Sequence, residues 1–120
     1  MNRGEMMNKI MEKEKVQELP DDHRQVLNVI INAPIKYITR DKILRQLGYE
    51  INNHNYRWLH SITSDLSIRY GYPIGSARTK DKRGYFIIET PEDKVLAYNT
   101  IYSIVEGNLK RLEAIKKLEV

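Results

Sequence analysis

The sequence predicts a mainly helical domain with one small β-hairpin, followed by a long C-terminal helix. Three observations carry this. Between residues 21 and 70, three segments place apolar residues three and four apart, each opened by a capping residue and closed by Pro or Gly. Residues 74–88 then become β-branched and aromatic around a polar, basic centre. After Pro91 no further proline occurs, and apolar residues recur with a period of roughly 3.5 as far as Leu118.

The elements follow in order. Residues 1–18 read as an amphipathic or flexible N-terminal tail, with Met6, Met7, Ile10 and Met11 as its apolar cluster, too weak to fold alone. The domain proper spans 19–90. Asp21 or Asp22 caps a first helix whose buried residues are Val26, Leu27, Ile30 and Ile31, and Pro34 disfavours helical geometry at Ala33. A short extended stretch, Ile35 to Ile38, precedes Thr39, the cap of a second helix carrying Ile43, Leu44 and Leu47 and stopped by Gly48. Asn52 and Asn53 are the candidate caps of a third helix, expected from about His54 to Tyr70, with Leu59, Ile62 and Leu66 buried and Trp58 at the edge. Gly71-Tyr72-Pro73-Ile74 breaks that helix, and a hairpin turns around Thr79 to Gly84. Residues 91–120 form the last helix: Thr90 caps it, Pro91 takes its first position, and Glu92 and Asp93 sit in its first turn. At about 28 residues, or ~40 Å, it is longer than the domain before it can cover.

Composition narrows the function. There is no Cys, so disulfides and thiolate metal sites are excluded, and His23, His54 and His60 lack a ligand spacing. No phosphate-cradling glycine loop occurs, and Ser61 and Ser64 beside His60 have no strained elbow or orienting acid, so the chain does not read as an enzyme and no cofactor is expected. No run is apolar enough for a membrane span and the N-terminus is not a signal peptide, which points to the cytoplasm and away from membranes. The charge is unevenly placed. Residues 1–20 hold four bases against four acids and residues 91–120 five against five, whereas residues 21–90 hold eleven against seven. The whole net charge of +4 therefore lies in the middle of the chain, an electrostatic footprint for a polyanion.

Three helices followed by a basic hairpin make the winged helix-turn-helix arrangement. A major groove about 12 Å wide admits one helix, braced by the helix before it. With Leu59, Ile62 and Leu66 turned inward, the third helix offers Asn53, Asn55, Arg57, His60, Ser61 and Ser64 for base edges and phosphates. Thr39, Arg40 and Lys42 on the second helix, with Arg78, Lys80, Lys82 and Arg83 on the hairpin, are the candidates for backbone contact. Tyr56, Trp58 and Tyr85 are better placed for packing than for base stacking.

Ile38-Thr39-Arg40-Asp41-Lys42-Ile43-Leu44, the stretch Arg57 to Leu66, Gly71-Tyr72-Pro73-Ile74-Gly75-Ser76 and Gly84-Tyr85-Phe86 together resemble phage-type winged helix-turn-helix DNA-binding proteins. The likeness covers about residues 24–90; Ser67-Ile68-Arg69-Tyr70 departs from it by one extra residue. It implies a phage or mobile-element regulator that binds double-stranded DNA. An excisionase or replication-accessory protein would use the same surface, and a winged-helix module that inhibits a host enzyme is the reading from another class. The apolar period of the last helix points to a homodimer through that helix, with fold-back over Val26, Ile30 and the N-terminal methionines as the competing arrangement.

Overall fold

A computed structural model describes residues 18–120, and all but the last residue of the N-terminal tail read from the sequence lies outside them. Among the described residues the chain is mainly helical. The elements are α1 (Asp21–Ile31), α2 (Arg40–Leu47), α3 (Asn53–Ile68), β1 (Ile74–Arg78), β2 (Arg83–Ile87) and α4 (Pro91–Lys116). The two strands form one antiparallel hairpin in which Ile74 faces Ile87 and Arg78 faces Arg83.

Local chemistry sets most boundaries. Thr39, Asn52 and Thr90 cap α2, α3 and α4, accepting the backbone N–H of Lys42, Asn55 and Asp93. Gly48 ends α2 in the left-handed conformation, φ 82°. At α1 the capping position falls to Pro20 rather than to either aspartate, because its fixed φ of −55° suits the residue before the first turn. Asp21 and Asp22 then occupy the first turn, where the helix dipole favours negative charge. The third helix starts and stops earlier than its spacing predicts: Asn52 takes the cap, and Arg69 and Tyr70 form a turn.

One core joins α1, α2, α3 and the hairpin. Val26, Ile30, Ile43, Leu44, Leu59, Leu66 and Ile87 are fully buried within it, with Trp58 half-buried at its edge, while Phe86 is buried beside Tyr37 and Gly75. Each truncation of such an aliphatic side chain costs about 2–5 kcal/mol. Two close approaches fasten the hairpin. Ile38 and Tyr85 exchange backbone hydrogen bonds of 2.9 and 2.8 Å, so the residue before the α2 cap is bridged to β2. Gly84 permits this: its φ is 122°, and a Cβ there would lie 2.3 Å from the Ile38 carbonyl oxygen. On the other side, Gly75 lets α4 settle on β1, since a Cβ at that position would come within 2.8 Å of the Ala97 side chain.

α4 meets the domain only at its start. Asp93 is buried, and Leu96, Ala97 and Thr100 are half-buried, but every residue from Ile101 onward is exposed. Among the described residues α4 does not fold back over Val26 and Ile30, which α1, α2 and α3 already bury; the N-terminal methionines of that arrangement lie outside the described residues. The start of α4 is tied down by charge. Asp93 Oδ2 accepts from Lys36 Nζ at 2.5 Å and from the Glu89 N–H at 2.9 Å. Burial opposes the charged carboxylate, but these two bonds outweigh it and hold the Asp93 pKa below its ordinary value.

No helix among the described residues is long and apolar enough to cross a membrane.

Candidate nucleic-acid interface

The Ile38–Tyr85 bridge brings the first turn of α2 beside the hairpin, and Tyr56, Arg57 and His60 of α3 border the same space. The result is an open cleft of about 810 Å³ lined by Thr39, Arg40, Asp41, Tyr56, Arg57, His60, Ala77, Arg78, Arg83, Gly84 and Tyr85. Four arginines face one acid in it. That acid is already engaged: the Tyr56 hydroxyl donates to Asp41 Oδ1 at 2.6 Å, and the Arg40 guanidinium lies 3.5 Å over the Tyr56 ring. Because its proton is shared with the Asp41 carboxylate, the Tyr56 phenol is held above its ordinary pKa and stays neutral. The trio braces α2 against α3, and among the described residues no ion pair engages Arg57, Arg78 or Arg83 at the cleft.

The residues expected to act together are distributed as follows. Thr39, Arg40, Arg57, His60, Arg78 and Arg83 share the cleft. Asn53, Arg57, His60 and Ser61 are exposed on the side of α3 away from Leu59 and Leu66, with Ser64 half-buried beside them. Lys80 and Lys82 are exposed in the hairpin turn, where the Thr79 N–H donates to the Lys82 carbonyl and the Thr79 hydroxyl accepts the Lys82 N–H. These bonds close a tight turn and present its cations at the tip.

Two residues sit elsewhere. The Asn55 amide donates to the Glu50 carbonyl at 2.8 Å, so it holds the α2–α3 turn rather than facing outward with Arg57. Lys42 lines a different, mostly apolar groove with Ala33, Pro34, Ile35, Ile38, Arg45 and Gln46.

Several contributors escape a reading of periodicity. Tyr56 and Asp41 are one example, since a hydroxyl–carboxylate pair on two different helices leaves no pattern along either. Asp65 is another. It stands on α3 close to the outward face in sequence, yet it turns toward α1 and bonds His23 Nε2 at 2.6 Å, which removes its negative charge from the exposed side. No cluster of His and acidic side chains among the described residues could hold a metal ion.

No family model, curated protein or solved structure matches this chain.

Proposed function

We propose that this chain is a winged helix-turn-helix protein that binds double-stranded DNA, laying α3 in the major groove and its hairpin against the phosphate backbone. One observation carries the reading: the arginine-lined cleft between the start of α2, the middle of α3 and the hairpin, continuous with an exposed α3 face that bears short polar side chains and no acid. A DNA strand bordering an occupied major groove needs cations on both sides of the helix, and this arrangement supplies them. Arg40 and Arg83 would hold phosphates, while Arg57, His60 and Ser61 would reach base edges.

The resemblance of the sequence to phage-type regulators favours transcriptional regulation in the cytoplasm as the role. Two copies joined through α4 would present two such faces to a two-fold site. An excisionase or replication-accessory protein would use the same cleft on asymmetric or repeated sites. A module that inhibits a host enzyme would use the same cleft against an acidic protein surface, since its four arginines outnumber its one acid.

Selection of bound sequences from random duplex DNA tests the proposal. An enriched palindrome supports the regulator and asymmetric repeats the accessory role. Binding should also weaken steeply with salt, with a log–log slope of about −0.9 per phosphate neutralised. No enrichment, together with salt-insensitive or absent binding, would overturn the DNA reading.

A further inference from the structure

The two sides of α4 differ in what covers them. Leu96, Ala97 and Thr100 face β1 and are half-buried, whereas Tyr98, Ile101, Tyr102, Val105, Leu109 and Leu112 recur along the far side. The exposure of those six runs from 47% to 65%. The Tyr98 and Tyr102 rings lie nearly parallel, 5.8 Å apart, and extend the flat apolar surface toward the domain. Helix periodicity places Ile115 at the outer end of the same strip and Asn108 as its polar interruption, with no charged residue along its centre between Tyr98 and Ile115.

We infer that a second copy of this chain covers the strip, pairing α4 against α4 along its outer side. Three features identify the occupant. The strip is about 26 Å long and half the circumference of a helix ~10–12 Å across, or roughly 450 Å². Pairing two copies buries about 900 Å², the size of a weak, reversible interface; left open, the strip would rank with the largest apolar patches that monomers carry, about 300–600 Å². Charge is the second feature. α4 carries Glu92, Asp93, Glu106 and Glu113 against Lys94, Lys110, Arg111 and Lys116, four acids against four bases, so it can meet its own copy without net repulsion. The arginine cleft could not. Geometry is the third: the strip points away from the chain's own domain, so a partner reaches it without displacing β1.

The pairing rests on α4 alone and holds whether or not the cleft binds DNA, so it is tested without nucleic acid. Light scattering across a concentration series should show a dimer at high micromolar protein. Leu109→Glu combined with Leu112→Glu should weaken association by about 100-fold or more, because it places unpaired charges in the seam. The thermal midpoint of the domain should not fall below that of the dissociated wild type, since both residues lie outside the core. The chain has no Cys, so Val105→Cys adds a single thiol at the middle of the strip, and mild oxidation should link two copies through it. A wild type that stays monomeric at high micromolar concentration overturns the inference, whether residues 1–17 then cover the strip or nothing does. Unfolding of the domain by the double glutamate variant overturns it too, because α4 would then belong to the core.

Discussion

The imidazole of His23 is held between two carboxylates: Nδ1 lies 2.7 Å from Asp22 Oδ1, and Nε2 lies 2.6 Å from Asp65 Oδ2. The protonated ring satisfies both carboxylates at once, because each of its nitrogens then donates. The second bond joins α1 to α3, the helix that carries the proposed recognition face. The Tyr70 ring meets His23 edge-on at 5.7 Å and closes the site.

Stability should therefore depend on pH through His23. Burial alone would lower its pKa, but the Asp22 and Asp65 bonds outweigh burial and raise it above the ordinary 6.5. A raised folded-state pKa means that the stabilisation is complete below 6.5 and is lost as pH rises through the folded value. Asp22 behaves oppositely. Its hydrogen bond from His23 lowers its pKa below 3.8, so its contribution is present above that value and fades as acid brings the pH through the lowered folded value. Thermal melts of wild type and His23→Gln across neutral to mildly alkaline pH should converge as pH rises. Parallel curves would show that the pair contributes nothing.

Core truncation separates the two sides of α3. Leu59→Ala or Leu66→Ala should destabilise by about 2–5 kcal/mol in denaturant titrations, because each is fully buried. Ser61→Ala should stay within about 0.5 kcal/mol, as exposed substitutions do. The reverse ranking would mean that α3 is rotated about its axis.

This contrast also marks what the sequence discloses. Leu59, Ile62 and Leu66 are legible because a helix repeats its buried side every three or four residues, and Thr39, Gly48 and Thr90 because caps and stops act within one turn. Pairings over long separations leave no such trace. His23 meets Asp65 across 42 residues and Lys36 meets Asp93 across 57, so neither is visible in any local window. Asn55 shows a further limit: residue type nominated it for DNA contact, but its amide instead serves the Glu50 carbonyl two residues before the cap. The long α4 helix is legible as an apolar period, yet the small residues Gly75 and Ala97 decide which side docks.

Gly84→Ala tests the clasp between β2 and α2. The new methyl group would stand 2.3 Å from the Ile38 carbonyl oxygen at a φ that side chains rarely adopt. Backbone strain alone costs about 1–3 kcal/mol, and relieving the clash would break the Ile38–Tyr85 bridge. The denaturation midpoint should fall, and amide exchange at Tyr85 and Ile38 should quicken. A variant as stable as wild type would mean that the hairpin is not fastened at this point.

Lys36→Met should loosen the start of α4. Asp93 has a side chain only 8% exposed, and losing its cation leaves a buried carboxylate supported by backbone bonds from Glu89 and Thr90 but by no opposite charge. Lys36 is 33% exposed, so water softens the penalty to about 1–3 kcal/mol at neutral pH. The deficit should be complete above pH 3.8 and shrink as pH falls through the lowered folded value of Asp93, which a pH series of melts would detect.

The arginines of the cleft divide by role under the DNA reading, and substitution can separate them. Replacing Lys80, Lys82 and Arg83 together by Ala removes charges that touch only phosphates, so binding should weaken equally on all sequences and the salt slope should become shallower. Arg57 lies on the outward side of α3, where a bidentate contact to one base is within reach. Arg57→Ala should then cost about 1–3 kcal/mol on the selected site and relax preference at one position, with far less loss on unrelated duplex. All four residues are exposed, so thermal midpoints should stay near wild type and any loss of binding reports contact rather than unfolding. Equal losses on every sequence from Arg57→Ala would make it another phosphate contact and move base recognition to His60 and Ser61. Unchanged affinity in both variants would remove the cleft from the DNA interface altogether.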